Sequence, residues 1–293
     1  MKSYSSLVKL PCSKPLKSYR ESGSEPPLFC IYGVLLYDDL ARNLGTEQPV
    51  YGVYLEDEVN LIKAGRLEKK NELTSVAEIA TRYLKEIRTL QPVGPYFLAG
   101  ESFGGLVAFE MAQQLHLQGE KVGLVILFDT QAPGSVKKLP VSDRIRVHSK
   151  NLLREGSTYA LNQVGWRINS SKDRVVSIIS RIYTKFDQGG ERSWQRYLQE
   201  VAINYVRERV CEQAASNYVP HPYPGKMVLF RALERDQFEA CSDPQLGWSS
   251  LAAGGLEVHD VPGDHIGIIK EPHVQVLAAK LKACLEEAQV ADF

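Results

Sequence analysis

The sequence predicts an α/β fold in which helices flank a mostly parallel central sheet. Three observations favour this class. Short β-rich apolar runs alternate with longer helical patterns along most of the 293 residues. The runs are apolar throughout rather than at every second position, which is typical of parallel strands covered on both faces. One long stretch, residues 135–219, contains helical patterns and no convincing strand.

Six apolar runs are predicted to form the strands of this sheet. In chain order they are Leu28–Tyr32, Val50–Leu55, Pro95–Ala99, Leu124–Phe128, Met227–Arg231 and Leu256–Val261. A further run, Ser5–Leu10, is a candidate edge strand.

Three helices are predicted between and after the strands, because apolar residues recur there with the helical period. They are Thr74–Leu90, Phe103–Leu117 and His273–Leu285. The first has Thr74 as its N-cap and Pro92 beyond its end. Gly119 ends the second helix, and Pro272 occupies the first turn of the third.

Residues 135–219 are predicted to form a helical lid, so that the core of the fold comprises residues 1–134 and 220–293. The stretch contains fifteen Lys and Arg and eight Asp and Glu, a net charge of +7, and the rest of the chain carries −7. Because the charge of the insert is opposite to that of the rest of the chain, we interpret the insert as a lid over one edge of the sheet. The alternative is a solvated helical appendage with no role in the site.

The composition excludes several classes of function. Thirty-five Lys and Arg balance thirty-five Asp and Glu, so no field of the whole protein attracts nucleic acid or an anionic membrane. No apolar run approaches the ~20 residues of a membrane helix, and no signal core follows Met1. The five cysteines form no Cys-x-x-Cys pair, and metal-binding histidine motifs are absent from the sequence. We therefore expect a cytoplasmic protein without metal, in which Cys30 is a core residue.

The motif with chemical meaning is the hexapeptide Gly100–Gly105, which reads Gly-Glu-Ser-Phe-Gly-Gly. It lies between an apolar predicted strand and a predicted helix, and this strand–turn–helix setting is that of a nucleophile elbow. The glycines let strand and helix approach each other closely. The pattern predicts Ser102 as the nucleophile and the backbone N–H of Phe103 as a donor to an oxyanion.

A serine nucleophile needs a base, and His265 is predicted to supply it. It follows the last predicted strand, and active-site side chains in open α/β sheets emerge at the carboxyl ends of strands. The other histidines lie in helices, in a strand, or in and beside the insert: His116, His148, His221, His259 and His273.

The acid that orients the histidine is predicted to be Asp129, which directly follows the strand ending at Phe128. Asp236 is the alternative, because it follows the strand starting at Met227. Asp264 is adjacent to the histidine and is not expected to reach its Nδ1. The order Ser102, Asp129, His265 agrees with the Ser-acid-His order of such hydrolases.

Stretches along nearly the whole chain outside the insert resemble one family, the type I thioesterase domains that end nonribosomal peptide and polyketide synthetases. The residues that carry the resemblance are Pro27–Cys30, Asp39–Gly45, Gln48–Gly52, Gly94–Tyr96 leading into the elbow, Phe109–Ala112, Phe128–Asp129, Gly247–Trp248, Val261–His265 and Glu271–His273.

The resemblance implies an α/β-hydrolase fold with a helical lid and acyl transfer to Ser102. The acyl thioester is carried on 4′-phosphopantetheine by an upstream acyl or peptidyl carrier domain, and the enzyme has no cofactor of its own. Release is by hydrolysis, or by macrocyclisation onto a hydroxyl or amine of the same chain. The family's usual acid position supports Asp129 over Asp236. In this family, Met1 is expected to be an excision point of a longer synthase.

By the same resemblance, the loop after the first core strand supplies the second oxyanion N–H, which by position belongs to Val34. The family usually has a histidine followed by glycines there, whereas this chain reads Tyr-Gly-Val-Leu-Leu-Tyr over residues 32–37. This altered loop suggests one alternative, a non-catalytic hydrolase fold that serves in binding. A stand-alone editing thioesterase or carboxylesterase is the other alternative. Acidic residues at the expected mouth, Glu101 and Glu56–Glu58, are either specificity determinants for cationic acyl chains or solvated loop charges.

Overall fold

The computed structural model describes residues 16–21, 23–32, 36–53, 75–135, 211, 214–234 and 243–290. The candidate edge strand Ser5–Leu10 and nearly all of the predicted lid, residues 135–219, lie outside these residues. The division into a core and a lid therefore stays a prediction.

A seven-stranded sheet forms the centre of the molecule, with the strand order β1-β3-β2-β4-β5-β6-β7. All neighbouring strands are parallel except β1, which runs antiparallel to β3. The six predicted strands are confirmed with small shifts of their ends, and β1 is an edge strand that the sequence did not predict. The strands are β1 (Leu16–Arg20), β2 (Leu28–Ile31), β3 (Val50–Val53), β4 (Tyr96–Glu101), β5 (Val122–Phe128), β6 (Met227–Ala232) and β7 (Leu256–Val261).

The three predicted helices are also confirmed, and a short helix was not predicted. The helices are α1 (Asp38–Asn43), α2 (Val76–Leu90), α3 (Phe103–Leu117) and α4 (Val274–Val290). The prediction of Thr74 as the N-cap of α2 is wrong. Ser75 has the extended backbone of an N-cap, and its side chain accepts a hydrogen bond of 3.2 Å from the N–H of Glu78. Helix α4 continues beyond Leu285 because its buried stripe extends to Ala288.

Helices cover both faces of the sheet. Alternate residues of the central strands, such as Phe29 and Leu98, pack with α2 and α3 on one face. The intervening residues, such as Cys30 and Phe97, pack with α1 and α4 on the other. Cys30 is fully buried, as expected, and burial raises the pKa of its thiol. Since both faces are dry, these strands are apolar at every position, which explains the runs seen in the sequence.

The parallel direction of β2 and β4–β7 puts their carboxyl ends at one edge of the sheet. Ser102 follows β4, Asp129 follows β5, and His265 lies in the loop after β7. The topology thus brings residues far apart in the chain to one side of the molecule. Within the described ranges, no helix combines the length and apolarity that crossing a bilayer requires.

Candidate active site

The turn between β4 and α3 holds Ser102 in a strained backbone conformation, with φ 51° and ψ −119°. A positive φ is unusual for a residue with a side chain, and its energetic cost is offset by the packing around it. A Cβ on Gly100 would lie 2.3 Å from the carbonyl of Gly104, and a Cβ on Gly104 would lie 2.4 Å from the carbonyl oxygen of Ile31. Glycine is therefore required at both positions for α3 to approach β4 and β2. The serine is presented at the N-terminus of α3, beside the backbone of Phe103.

Asp129 directly follows β5 and is almost completely buried. Its backbone N–H donates a 2.7 Å hydrogen bond to the carbonyl of Phe230. Its Oδ1 accepts a 3.0 Å hydrogen bond from the N–H of Ala232. Its Oδ2 lies 2.8 Å from Nδ1 of His265. Both carboxylate oxygens therefore have partners, as a buried charge requires, and the side chain is oriented toward the imidazole.

The loop after β7 holds His265 through backbone contacts with the end of β6. The N–H of Leu233 donates to the carbonyl of Val261, and the N–H of Glu234 donates to that of Gly263, each at 3.0 Å. Asp264 accepts a 2.7 Å hydrogen bond from the N–H of Gly267, the first residue of the short 3-10 turn that follows. Asp264 thus bonds to backbone, and Asp129 is the aspartate that contacts the imidazole of His265.

The imidazole of His265 lies between two carboxylates. While Nδ1 faces Asp129, Nε2 lies 3.1 Å from Oε1 of Glu101, the residue before the predicted nucleophile. Both ring nitrogens therefore face carboxylate oxygens, which act as hydrogen-bond acceptors when ionised. In the part of the chain that the structure describes, no hydrogen bond joins Ser102 Oγ to this ring. The structure thus brings Asp129 and His265 together, with Glu101 at the nitrogen that a serine base would use.

Tyr37 connects the elbow to β2 and was not recognised in the sequence. Its hydroxyl donates a 3.0 Å hydrogen bond to the carbonyl of Ile31 and accepts one of 3.0 Å from the N–H of Glu101. The side chain is fully buried, and burial raises the pKa of the hydroxyl well above its usual value, so the donor proton is retained. No sequence signal separates this tyrosine from the others, because its role depends on two backbone groups of different strands.

Tyr32 lies beside the elbow with a positive φ of 63°. Its ring meets Phe103 edge-on with centroids 5.3 Å apart, and its hydroxyl lies 3.0 Å from Sγ of Cys211. Two predicted site residues, Val34 and Asp236, lie outside the described residues, as do Glu56–Glu58.

Among the other described histidines, none contacts Asp129. His259 contacts Glu257 and Cys284, and His116 lies edge-on to the ring of Tyr223. His265 is thus the described histidine that the fold pairs with the buried aspartate.

The sequence also matches a known protein family. The model of the thioesterase domain family matches residues 27–284. The chain belongs to the thioesterase domain family. The resemblance predicted from the sequence and the predicted enzyme class, a thioesterase, are thereby confirmed.

Curated relatives of this thioesterase domain include large synthetases. Malpibaldin synthetase of Mortierella alpina is 30% identical over 284 residues, which cover 94% of this chain and 4% of that protein. A dimodular nonribosomal peptide synthase of Bacillus subtilis (strain 168) is 42% identical over 276 residues, covering 90% of this chain and 11% of that protein. The thioesterase domain thus spans a small part of the length of the relatives that it matches.

Solved structures share the fold of this thioesterase domain. A four-domain nonribosomal peptide synthetase, holo-AB3403 bound to AMP and glycine, has a TM-score of 0.63 at 20% identity, covering 92% of this chain and 20% of that one. The NocB thioesterase domain in covalent complex with a fluorophosphonate nocardicin G analog has a TM-score of 0.58 at 22% identity, covering 92% and 99%. The predicted α/β-hydrolase fold is confirmed.

Proposed function

We propose that this thioesterase domain releases an acyl or peptidyl chain from the 4′-phosphopantetheine arm of an upstream carrier domain, through an acyl-enzyme on Ser102. The observation that carries the proposal is the 2.8 Å pairing of His265 with the buried Asp129, next to a turn in which Ser102 is held at positive φ and Glu101 contacts the same imidazole. The curated relatives support the carrier-borne substrate, because they are synthetases much longer than this chain.

In the first half-reaction, Oγ of Ser102 attacks the thioester carbonyl and its proton passes to Nε2 of His265. Asp129 holds the opposite nitrogen and stabilises the imidazolium that forms. The N–H of Phe103, and by the family resemblance that of Val34, donate to the oxyanion of the tetrahedral intermediate. Collapse of the intermediate breaks the C–S bond, and the pantetheine thiolate leaves with the proton from His265.

In the second half-reaction, a nucleophile attacks the acyl-enzyme and transfers a proton to His265; the ester bond to Ser102 then breaks, and Oγ takes the proton back from His265. Water gives a free acid, and a hydroxyl or amine of the same acyl chain gives a macrocycle. Neither half-reaction requires a cofactor of the domain itself. The free thiols of Cys30, Cys211 and Cys284 are compatible with the reducing cytoplasm, in which we place the reaction.

The ring of His265 must change partner before it acts as a base. Nε2 faces Glu101 at 3.1 Å, and proton transfer from Ser102 requires a neutral ring with Nε2 directed at Oγ. We infer that a bound acyl thioester displaces the ring from Glu101, which leaves Nε2 free to face Oγ. The side chain of His265 is 45% exposed and so has room to rotate.

The first experiment tests the nucleophile with a fluorophosphonate probe and mass spectrometry. We expect a single covalent adduct on Ser102 and none in Ser102→Ala. Ser24→Ala, at an exposed serine, is the matched control and should react like the unchanged domain. A folded domain that does not react would support the non-catalytic alternative and overturn the proposal.

A second experiment tests the substrate class. The same acyl group is offered as a carrier-bound thioester, as a free pantetheine thioester and as an oxygen ester. The proposal expects the highest kcat/KM for the carrier-bound substrate. Equal values for all three would favour the stand-alone esterase, even if Ser102 is the nucleophile.

A further inference from the structure

Three potential metal ligands converge at the β7–α4 contact, outside the serine site. Glu257 and His259 are two residues apart on β7 and therefore point to the same face of the sheet. Cys284 lies on α4, which packs against that face. One ligand atom from each residue lies within 4.8 Å of the other two. Nε2 of His259 is 2.8 Å from Oε1 of Glu257 and 3.3 Å from Sγ of Cys284.

Both contacts fall on the same ring nitrogen. An imidazole nitrogen has one in-plane position, which holds either a proton or a lone pair, so it cannot make two full hydrogen bonds. A cation between the three atoms would bind this nitrogen lone pair together with a thiolate sulfur and a carboxylate oxygen. Tetrahedral zinc holds its nitrogen, sulfur and oxygen ligands about 3.4 to 3.5 Å apart. The nitrogen–sulfur separation of 3.3 Å is close to these values, whereas the nitrogen–oxygen separation of 2.8 Å is about 0.6 Å shorter, so the Glu257 carboxylate would rotate away from the imidazole to bind the same ion.

The surroundings of His259 suit a residue that binds a metal ion. The ring of Phe230 stacks on the imidazole with centroids 5.3 Å apart at 22°, which fixes the plane of the ligand. A cavity of about 340 Å³ adjoins the cluster and is lined by Glu257, Cys284 and Glu287 among others, so an ion has a path from solvent. Glu287 lies one helical turn after Cys284 on α4.

We propose that Glu257, His259 and Cys284 form a zinc-binding site that joins β7 to α4, with Glu287 or a water molecule as the fourth ligand. A thiolate, an imidazole and a carboxylate make a ligand set typical of zinc. The sequence offered no such motif, because Cys284 is 25 residues from His259.

The test is a titration of the metal-free domain with Zn²⁺ and, for its visible spectrum, with Co²⁺. We expect one ion per domain, a higher Tm on zinc binding, and a thiolate-to-cobalt charge-transfer band. Cys284→Ser should lose this band, and His259→Gln should weaken zinc binding by about tenfold or more. His221→Gln, at an exposed histidine outside the cluster, should bind zinc like the unchanged domain.

Glu257→Gln, at an exposed position, keeps the test decisive if the Cys284 variant does not fold, and should also weaken zinc binding. No binding at micromolar zinc, binding unaffected by the His259 and Glu257 changes, or a cobalt spectrum without thiolate character would overturn the proposal. Labelling of Ser102 is a separate readout in the same samples. We expect it to proceed in the metal-free domain, so failure of the zinc site and failure of the serine mechanism are distinguishable.

Discussion

The contact between Glu101 and His265 defines a resting arrangement of the candidate active site. In the proposed mechanism, Asp129 on the Nδ1 side stabilises the imidazolium that forms when Ser102 is deprotonated, and its burial gives it one fixed geometry. Glu101 lies on the Nε2 side, at the nitrogen that in the same mechanism must be free to accept the proton of Ser102. The two carboxylates therefore have opposite effects on the serine, although they contact the same side chain.

Replacing Glu101 by glutamine should accelerate reaction of Ser102. The amide has no charge with which to favour the imidazolium, so the ring is more often neutral and free to face Oγ. A hydrogen bond to a side chain contributes about 0.5–1.5 kcal/mol, which corresponds to a rate increase of about twofold to tenfold. The measurement is the second-order rate of fluorophosphonate labelling at neutral pH.

Glu78→Gln is the matched control, because it removes one carboxylate at an exposed position of α2. It should label at the rate of the unchanged domain. A slower rate in Glu101→Gln alone would show that this carboxylate assists the base and would contradict a competing role.

Among the elements, the packing of α3 against β2 depends on Gly104. A Cβ at this position would lie 2.4 Å from the carbonyl oxygen of Ile31, and backbone of a central strand cannot move aside. We expect Gly104→Ala to lower the free energy of unfolding by about 1–3 kcal/mol, because the helix must shift away from the sheet. Denaturant unfolding measures this change. Leu117→Ala, at an 84% exposed position of the same helix, should change stability by less than about 0.5 kcal/mol, and an equal loss in both variants would refute the packing argument.

The sequence predicted the central elements because both faces of the sheet are buried. Strands of that kind are apolar at every position, and α2 repeats buried residues with the helical period. The two elements that were missed have weaker patterns. Helix α1 has six residues, of which Leu40 and Ala41 are buried, too few for a period to emerge. Strand β1 is an edge strand that pairs on one side only, so its sequence, Leu-Lys-Ser-Tyr-Arg, lacks the continuous apolar run.

Three residues of the candidate site were predictable from the parallel sheet. Ser102 and Asp129 directly follow apolar strands of a parallel sheet, and His265 lies in the loop after its last strand, so their shared edge follows from strand direction. The partner of Nε2 was not predictable, because Glu101 and Ser102 are neighbours and side-chain rotation decides which one the ring faces. The cluster at His259 was missed because a strand and a helix remote in sequence bring its members together.

At the scale of the whole molecule, charge is distributed unevenly between two parts of the chain. Residues 135–219 carry +7 and the remainder carries −7, although the net charge is zero. We propose that the basic stretch is a lid and that it attracts the carrier-bound substrate. The phosphate of the pantetheine arm is an anion in every such substrate, and an acidic carrier surface would add to the attraction.

This proposal predicts that salt slows turnover of a carrier-bound acyl thioester more than turnover of a short one. The Debye length falls from about 30 Å at 0.01 M to about 8 Å at 0.15 M ionic strength, so attraction between distant surfaces is lost while contacts inside the site persist. We expect kcat/KM for the carrier-bound substrate to fall about threefold or more over this range. A thioester of the same acyl group on a short uncharged thiol is the control and should change little. If kcat/KM responds equally to salt for both substrates, the charge of residues 135–219 does not steer the carrier to the domain.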